Sequence, residues 1–91
     1  MKEEINYKYQ ADLVHNLCQI QNEKNMRDFL DVLLTPAELD DLSKRLQIFK
    51  RLLKGEAQQK IASDLGVGIA TVTRGSKELA QGRFKVLRQQ S

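Results

Sequence analysis

Residues 58–75, from Gln58 to Gly75, read QQKIASDLGVGIATVTRG, and this run decides the fold. Ile61, Leu65, Val67 and Val72 take the apolar positions of two short helices that cross after a tight turn, the spacing of a helix-turn-helix. Ala62 falls at the crossing, where a larger side chain would hold the helices apart. Gly66 supplies the positive φ that the turn requires. A helical hairpin used only for packing shares the apolar positions and stays open as an alternative.

The second helix is predicted to start at Gly68 or Ile69, and its leading residues Ile69, Ala70, Thr71 and Thr73 are small or apolar. Such side chains can approach base edges and thymine methyl groups, while a helix N-terminus can receive a phosphate. Bidentate base readers are scarce on this stretch, so specificity is expected to rest partly on water-mediated contacts or DNA shape. Gln58, Gln59 and Lys60 at the start of the first helix, and Lys77 along the second, are expected on phosphates or flanking bases.

The charge distribution agrees with a nucleic-acid partner. Up to Ser43 the chain has 4 lysines and arginines against 9 acids, and beyond it 11 against 3. The basic charge therefore lies in the half that carries the motif, as phosphate contact demands, although a solvated basic surface would look the same.

Upstream, Thr35-Pro36-Ala37-Glu38 places a threonine at N-cap, a proline at the first helical position and a glutamate at N3, which predicts the start of a long helix. Leu39, Leu42, Leu46, Phe49 and Leu53 follow on one arc, Ile48 and Leu52 widen it, and Gly55 ends it. Arg45 falls inside that arc. Its charge must reach water, pair with an acid such as Asp41, or meet a ligand carboxylate. Further upstream, residues 1 to about 8 read as a frayed arm. Leu13, Val14, Leu17, Cys18 and Ile20 form one helix face, and after a break near Asn22 to Asn25 a short helix carries Met26, Phe29, Leu30 and Leu33. After Gly82, residues 83–88 predict a last short helix with Phe84 and Leu87 inward.

With 91 residues, 41% hydrophobic and 30% charged, and a single proline, the chain reads as one all-α domain. A chain this short buries only about 60% of its unfolded surface, so a partner subunit would help it. Cys18 is the only cysteine, which leaves no intrachain disulfide and no cysteine zinc cluster, and no metal is expected. No apolar run approaches a membrane span, and Met-Lys-Glu-Glu-Ile-Asn lacks the regions of a signal peptide, so a cytoplasmic setting is expected. Neither a nucleophile with its base, nor a metalloprotease or phosphate-loop motif, nor a carboxylate dyad is present, and catalysis is not expected.

Gly75 stands where a recognition helix usually presents an apolar residue, which predicts a gap. With Arg74 beside it and Arg45 in the preceding helix, a flat molecule bearing a carboxylate could fill that gap.

These residues resemble the Trp repressor family, through LLTP at Leu33 to Pro36, Arg45, LLKGE at Leu52 to Glu56 and, most specifically, GIATVTRGS at Gly68 to Ser76. The resemblance implies a helical bundle with a helix-turn-helix, built as an intertwined homodimer that represses transcription from palindromic operator double-stranded DNA with L-tryptophan as corepressor. Trp repressors are themselves among the proteins that define this docking geometry. It further implies that Arg45 and Arg74 flank the indole ring, that Arg74 pairs with the tryptophan carboxylate, and that Leu34, Thr35, Thr71, Gly75 and Glu78 complete the ligand site. DNA contacts would fall on Gly68, Ile69, Ala70, Thr71, Thr73, Arg74, Ser76 and Lys77. Glu78 departs from the serine common there, and the connection from Gly55 to Gln58 is one residue shorter than usual. The resulting expectation is one domain over 1–91, with dimerisation and core helices in 1–54, a reading head over 58–79 and a short C-terminal helix over 82–91. A different ligand, or none, and a protein-interaction module are the alternatives.

Overall fold

A computed structural model describes residues 6–85 and 87, and its described elements are five α-helices with no strand among them. The chain divides into two compact units, Met1–Leu39 and Asp40–Ser91.

The first unit holds α1 (Tyr7–Gln19), α2 (Glu23–Leu33) and the start of α3 (Pro36–Leu53). α1 begins sooner than an arm to residue 8 would allow, because the Asn6 side chain accepts hydrogen bonds from the amides of Lys8 and Tyr9, both at 3.1 Å. Residues 1–5 of that arm lie outside the described residues. The break between helices is likewise shorter than expected, since Asn22 Oδ1 accepts from the Asn25 amide at 2.8 Å and starts α2 at Glu23. The predicted capping box is present: Thr35 Oγ1 accepts from the Glu38 amide at 3.1 Å, and Glu38 Oε1 accepts from the Thr35 amide at 2.9 Å. Neither α1 nor α2 buries a residue, and Val32 is 89% exposed.

The second unit packs α4 (Gln58–Leu65) and α5 (Ile69–Ala80) against the C-terminal half of α3. Ile61, Val72, Ile48 and Ala62 form the buried core, with Leu52, Leu65 and Val67 against it. The apolar positions of the motif are therefore those expected. Gly66, at φ +66°, ends α4 with a paired backbone closure: Val67 N–H donates to the Ala62 carbonyl at 3.0 Å and Gly66 N–H to the Ser63 carbonyl at 3.3 Å. The α3 arc is corrected, because Ile48, placed at its edge, is the buried residue, while Leu42 and Leu46 at its centre are 46% and 43% exposed. α4 and α5 meet α3 on the side of Ile48 and Leu52, and among the described residues of this unit the side of Leu42 and Leu46 stays exposed.

Phe84 also differs from expectation. It lies in a turn after α5 at φ +63°, outside helix geometry, and its ring is partly exposed where it stacks on Phe49. The rest of the C-terminal helix expected over 82–91 falls mostly outside the described residues.

Candidate nucleic-acid interface and ligand pocket

Gly68 is the N-cap of α5, and its extended backbone carries no side-chain cap, so the positive end of the helix is left open to an anion. Around it Ile69, Ala70 and Thr71 are exposed, as are Arg74 and Lys77 further along and Gln59 and Lys60 on α4. Ser76 is half-buried. Gln58 and Thr73 are engaged with each other, Thr73 Oγ1 lying 2.8 Å from Gln58 Oε1 and 3.0 Å from the Ile69 carbonyl. This bond ties the start of α4 to α5, so these two side chains set the geometry of the head as well as its surface.

Beside α5 lies an open cavity of about 530 Å³, within the range of small-molecule sites. Arg45, Ile48 and Phe49 of α3 line it, facing Thr71, Arg74, Gly75 and Glu78 of α5. Arg83 and Phe84 of the following turn complete it. Five expected ligand residues, Arg45, Thr71, Arg74, Gly75 and Glu78, thus share one wall system. Leu34 and Thr35 belong to the first unit, where Leu34 N–H donates to the Leu30 carbonyl at 2.9 Å and Thr35 caps α3.

The gap expected at Gly75 needs refinement. A Cβ there would stand 3.3 Å from Ile48 Cγ2 and 3.4 Å from both Leu52 Cδ1 and Phe49 Cε1, so side chains of α3 already close over the glycine. Its missing side chain brings α5 close to α3, and the cavity opens next to that contact. Arg45 is exposed, and the acid pair found nearby on α3 is Lys44 with Asp40, at 3.1 Å.

Sequence reasoning missed two groups of residues. From sequence Phe49 reads as part of the helix arc and Phe84 as part of a helix, yet their rings stack with centroids 4.0 Å apart at 32° on the cavity wall. Arg51 stands out in no sequence pattern, yet its guanidinium bonds Glu56 at 2.7 Å and Asp64 at 2.6 Å, across the α3–α4 turn. These bonds hold both carboxyls below their usual range and raise the arginine further. The spacing of Arg51 and Glu56 around a helix-ending glycine was the available signal. The remaining acid of the basic half, Glu78, pairs with Arg83 at 3.3 Å. Each of the 3 acids beyond Ser43 is therefore matched to an arginine, and the exposed lysines of α4 and α5 keep a positive field.

Two helices crossing at a glycine turn, the second with an uncapped positive end on a basic unit, define a DNA-binding helix-turn-helix regulator. The Trp repressor protein family matches residues 8–90 of the chain. Among curated relatives, a Trp operon repressor homolog of Vibrio campbellii is 41% identical over 80 residues, 87% of this chain and 80% of the relative. Another of that name from Xylella fastidiosa is 35% identical over 74 residues, 80% of each. The chain belongs to the Trp repressor family and is a transcriptional repressor. Among the described residues no helix is long and apolar enough to cross a membrane, and no cluster of His, Cys, Asp and Glu is placed to hold a metal ion.

Proposed function

We propose that this chain is a tryptophan-activated repressor, which binds palindromic operator DNA through α4 and α5 once L-tryptophan occupies the cavity beside α5. The observation that carries the reading is the position of that cavity: Thr71 and Arg74 line it and also stand on the exposed reading helix. A ligand held there acts on the orientation of α5, and linkage requires operator DNA to tighten the ligand by the same factor. Arg45 and Arg74 would flank the indole, with Arg74 on the carboxylate. Gly68, Ile69, Ala70, Thr73, Ser76 and Lys77 would meet DNA on α5, and Gln58, Gln59 and Lys60 on α4.

The chain acts, in this reading, as one helical domain in an intertwined homodimer, with residues 1–54 forming most of the subunit interface. The support is the unburied apolar surface of α1 and α2, including Leu13, Val14, Val32 and Leu33. Sedimentation at low micromolar concentration is expected to give a dimer, and a folded monomer there would contradict the arrangement.

The chain contains no tryptophan, so added L-tryptophan is the sole indole fluorophore in a titration. A saturable blue shift, abolished in Arg74→Ala, is the expected result, together with operator selection that succeeds only when L-tryptophan is present. Full operator affinity without any amino acid would favour a helix-turn-helix regulator with another ligand or none, a reading to which the Glu78–Arg83 pair lends some weight.

A further inference from the structure

α4 has 8 residues, fewer than the ~12–15 a helix needs to hold itself in water, and its N-cap, Ala57, offers no side-chain oxygen. Its buried residues, Ile61 and Ala62, stand at its middle. Apolar contact is non-directional, so a grip at the middle fixes where α4 sits and not how it tilts. Two carboxylates flank that grip: Glu56, just ahead of the N-cap, and Asp64, in the last turn. One guanidinium from α3 holds both. Arg51 Nη2 donates to Glu56 Oε1 at 2.7 Å and to Asp64 Oδ2 at 2.6 Å, and Nε donates to the same Glu56 oxygen at 2.9 Å. The arginine side chain is only 18% exposed, and the backbone is shaped to deliver its partner. Gly55, at φ +83°, turns the chain so that its N–H donates to the Leu52 carbonyl at 2.9 Å and that of Glu56 to the Arg51 carbonyl at 3.2 Å. Asp64 gains most, because an acid in the last turn of a helix faces the negative pole and needs a cation beside it.

We propose that Arg51 is a positioning residue for DNA binding, which fixes the tilt of α4 through both of its flanks and does so whether or not a ligand is bound. The proposal rests on the operator reading and deepens it. Among the described residues, those lining the cavity come from α3, α5 and the turn after α5, and none from α4. A ligand in that cavity bears on α5, so the pose of α4 needs another source. Gln59 and Lys60 stand exposed in the first turn of α4, and a tilt of the helix would carry them away from the phosphates they are proposed to meet. The two helices of the head thus answer to different controls: α5 to the ligand, α4 to a charge clamp that is always closed.

The test measures operator affinity and L-tryptophan affinity side by side for the wild-type chain, Arg51→Met, and Arg51→Met combined with Glu56→Gln, on DNA recovered by operator selection, with helicity checked by circular dichroism. The double variant has the net charge of the wild-type cluster and none of its bonds. Arg51→Met is expected to weaken operator binding about tenfold, the scale of a hydrogen bond to a charged group, and equally with and without L-tryptophan. L-tryptophan affinity for the free chain should stay within about twofold of wild type, while the α4 amides exchange faster with deuterium. The double variant should bind operator as weakly as the single one. Recovery of operator affinity in the double variant would reduce Arg51 to a source of charge and overturn the proposal, as would unchanged operator affinity in Arg51→Met. A parallel loss of L-tryptophan affinity would show a general loosening of the unit and overturn it too. Should Arg51→Met fail to fold, Arg51→Lys, which keeps the charge without the planar fork, takes its place with the same signs expected. Failure of the wild-type chain to select any DNA would instead overturn the operator reading, and the role of Arg51 with it. Absence of L-tryptophan binding to the wild-type chain would overturn the tryptophan reading alone, with operator affinity and α4 exchange still deciding for or against Arg51.

Discussion

Two glycines of the helix-turn-helix serve opposite physical needs. Gly66 has a left-handed backbone with nothing within 4 Å of where a Cβ would sit, so the cost of Gly66→Ala is conformational, about 1–2 kcal/mol. Gly75 has helical geometry but packs against Ile48, Leu52 and Phe49, so its constraint is space. Gly75→Val is expected to cost about 1–3 kcal/mol by overpacking and to push α5 from α3, which urea denaturation and ligand titration would both register. Arg51 sets a different constraint. Glu56 and Asp64 have lowered pKa values in the folded chain, so they stabilise it above their unfolded values near about pH 4, and this is lost as pH falls through the lower folded values. Arg51→Met should therefore lower the urea midpoint at pH 7, and the difference from wild type should shrink towards pH 3.

α3 shows which elements a sequence makes legible. Its start was readable because the capping box is local, four consecutive residues that satisfy each other. Thr35→Ala is expected to cost about 1 kcal/mol, measured by thermal or urea unfolding. The crossing of α4 and α5 was readable for the same reason, since Ile61, Ala62, Gly66 and Val72 lie within twelve residues of one another. The buried side of α3 was not, because periodicity tells which residues share a face and not what covers it, and Ile48 rather than Leu46 meets the other helices. Much of the candidate site was legible too, as Arg45, Thr71, Arg74, Gly75 and Glu78 come together on one cavity. The Arg83–Phe84 wall was hidden, since a left-handed backbone at a phenylalanine leaves no mark in composition or spacing.

Across the whole molecule, charge is divided as sharply as packing. The acidic stretch up to Ser43 carries the unburied helices α1 and α2, and the basic remainder carries the reading head, whose acids are already paired. The field at α4 and α5 therefore depends on lysines and arginines that remain exposed. Lys60→Ala is expected to weaken DNA binding about equally on any sequence, and to reduce the dependence of log affinity on log salt by about 1 for each copy bound. A salt dependence equal to wild type would place Lys60 away from the phosphates. The uncapped start of α5 adds a consequence for motion. With no side chain to hold them, the backbone N–H groups of Ile69 and Ala70 should exchange with deuterium quickly in the free protein, and slow sharply when an operator phosphate takes the place of the missing cap.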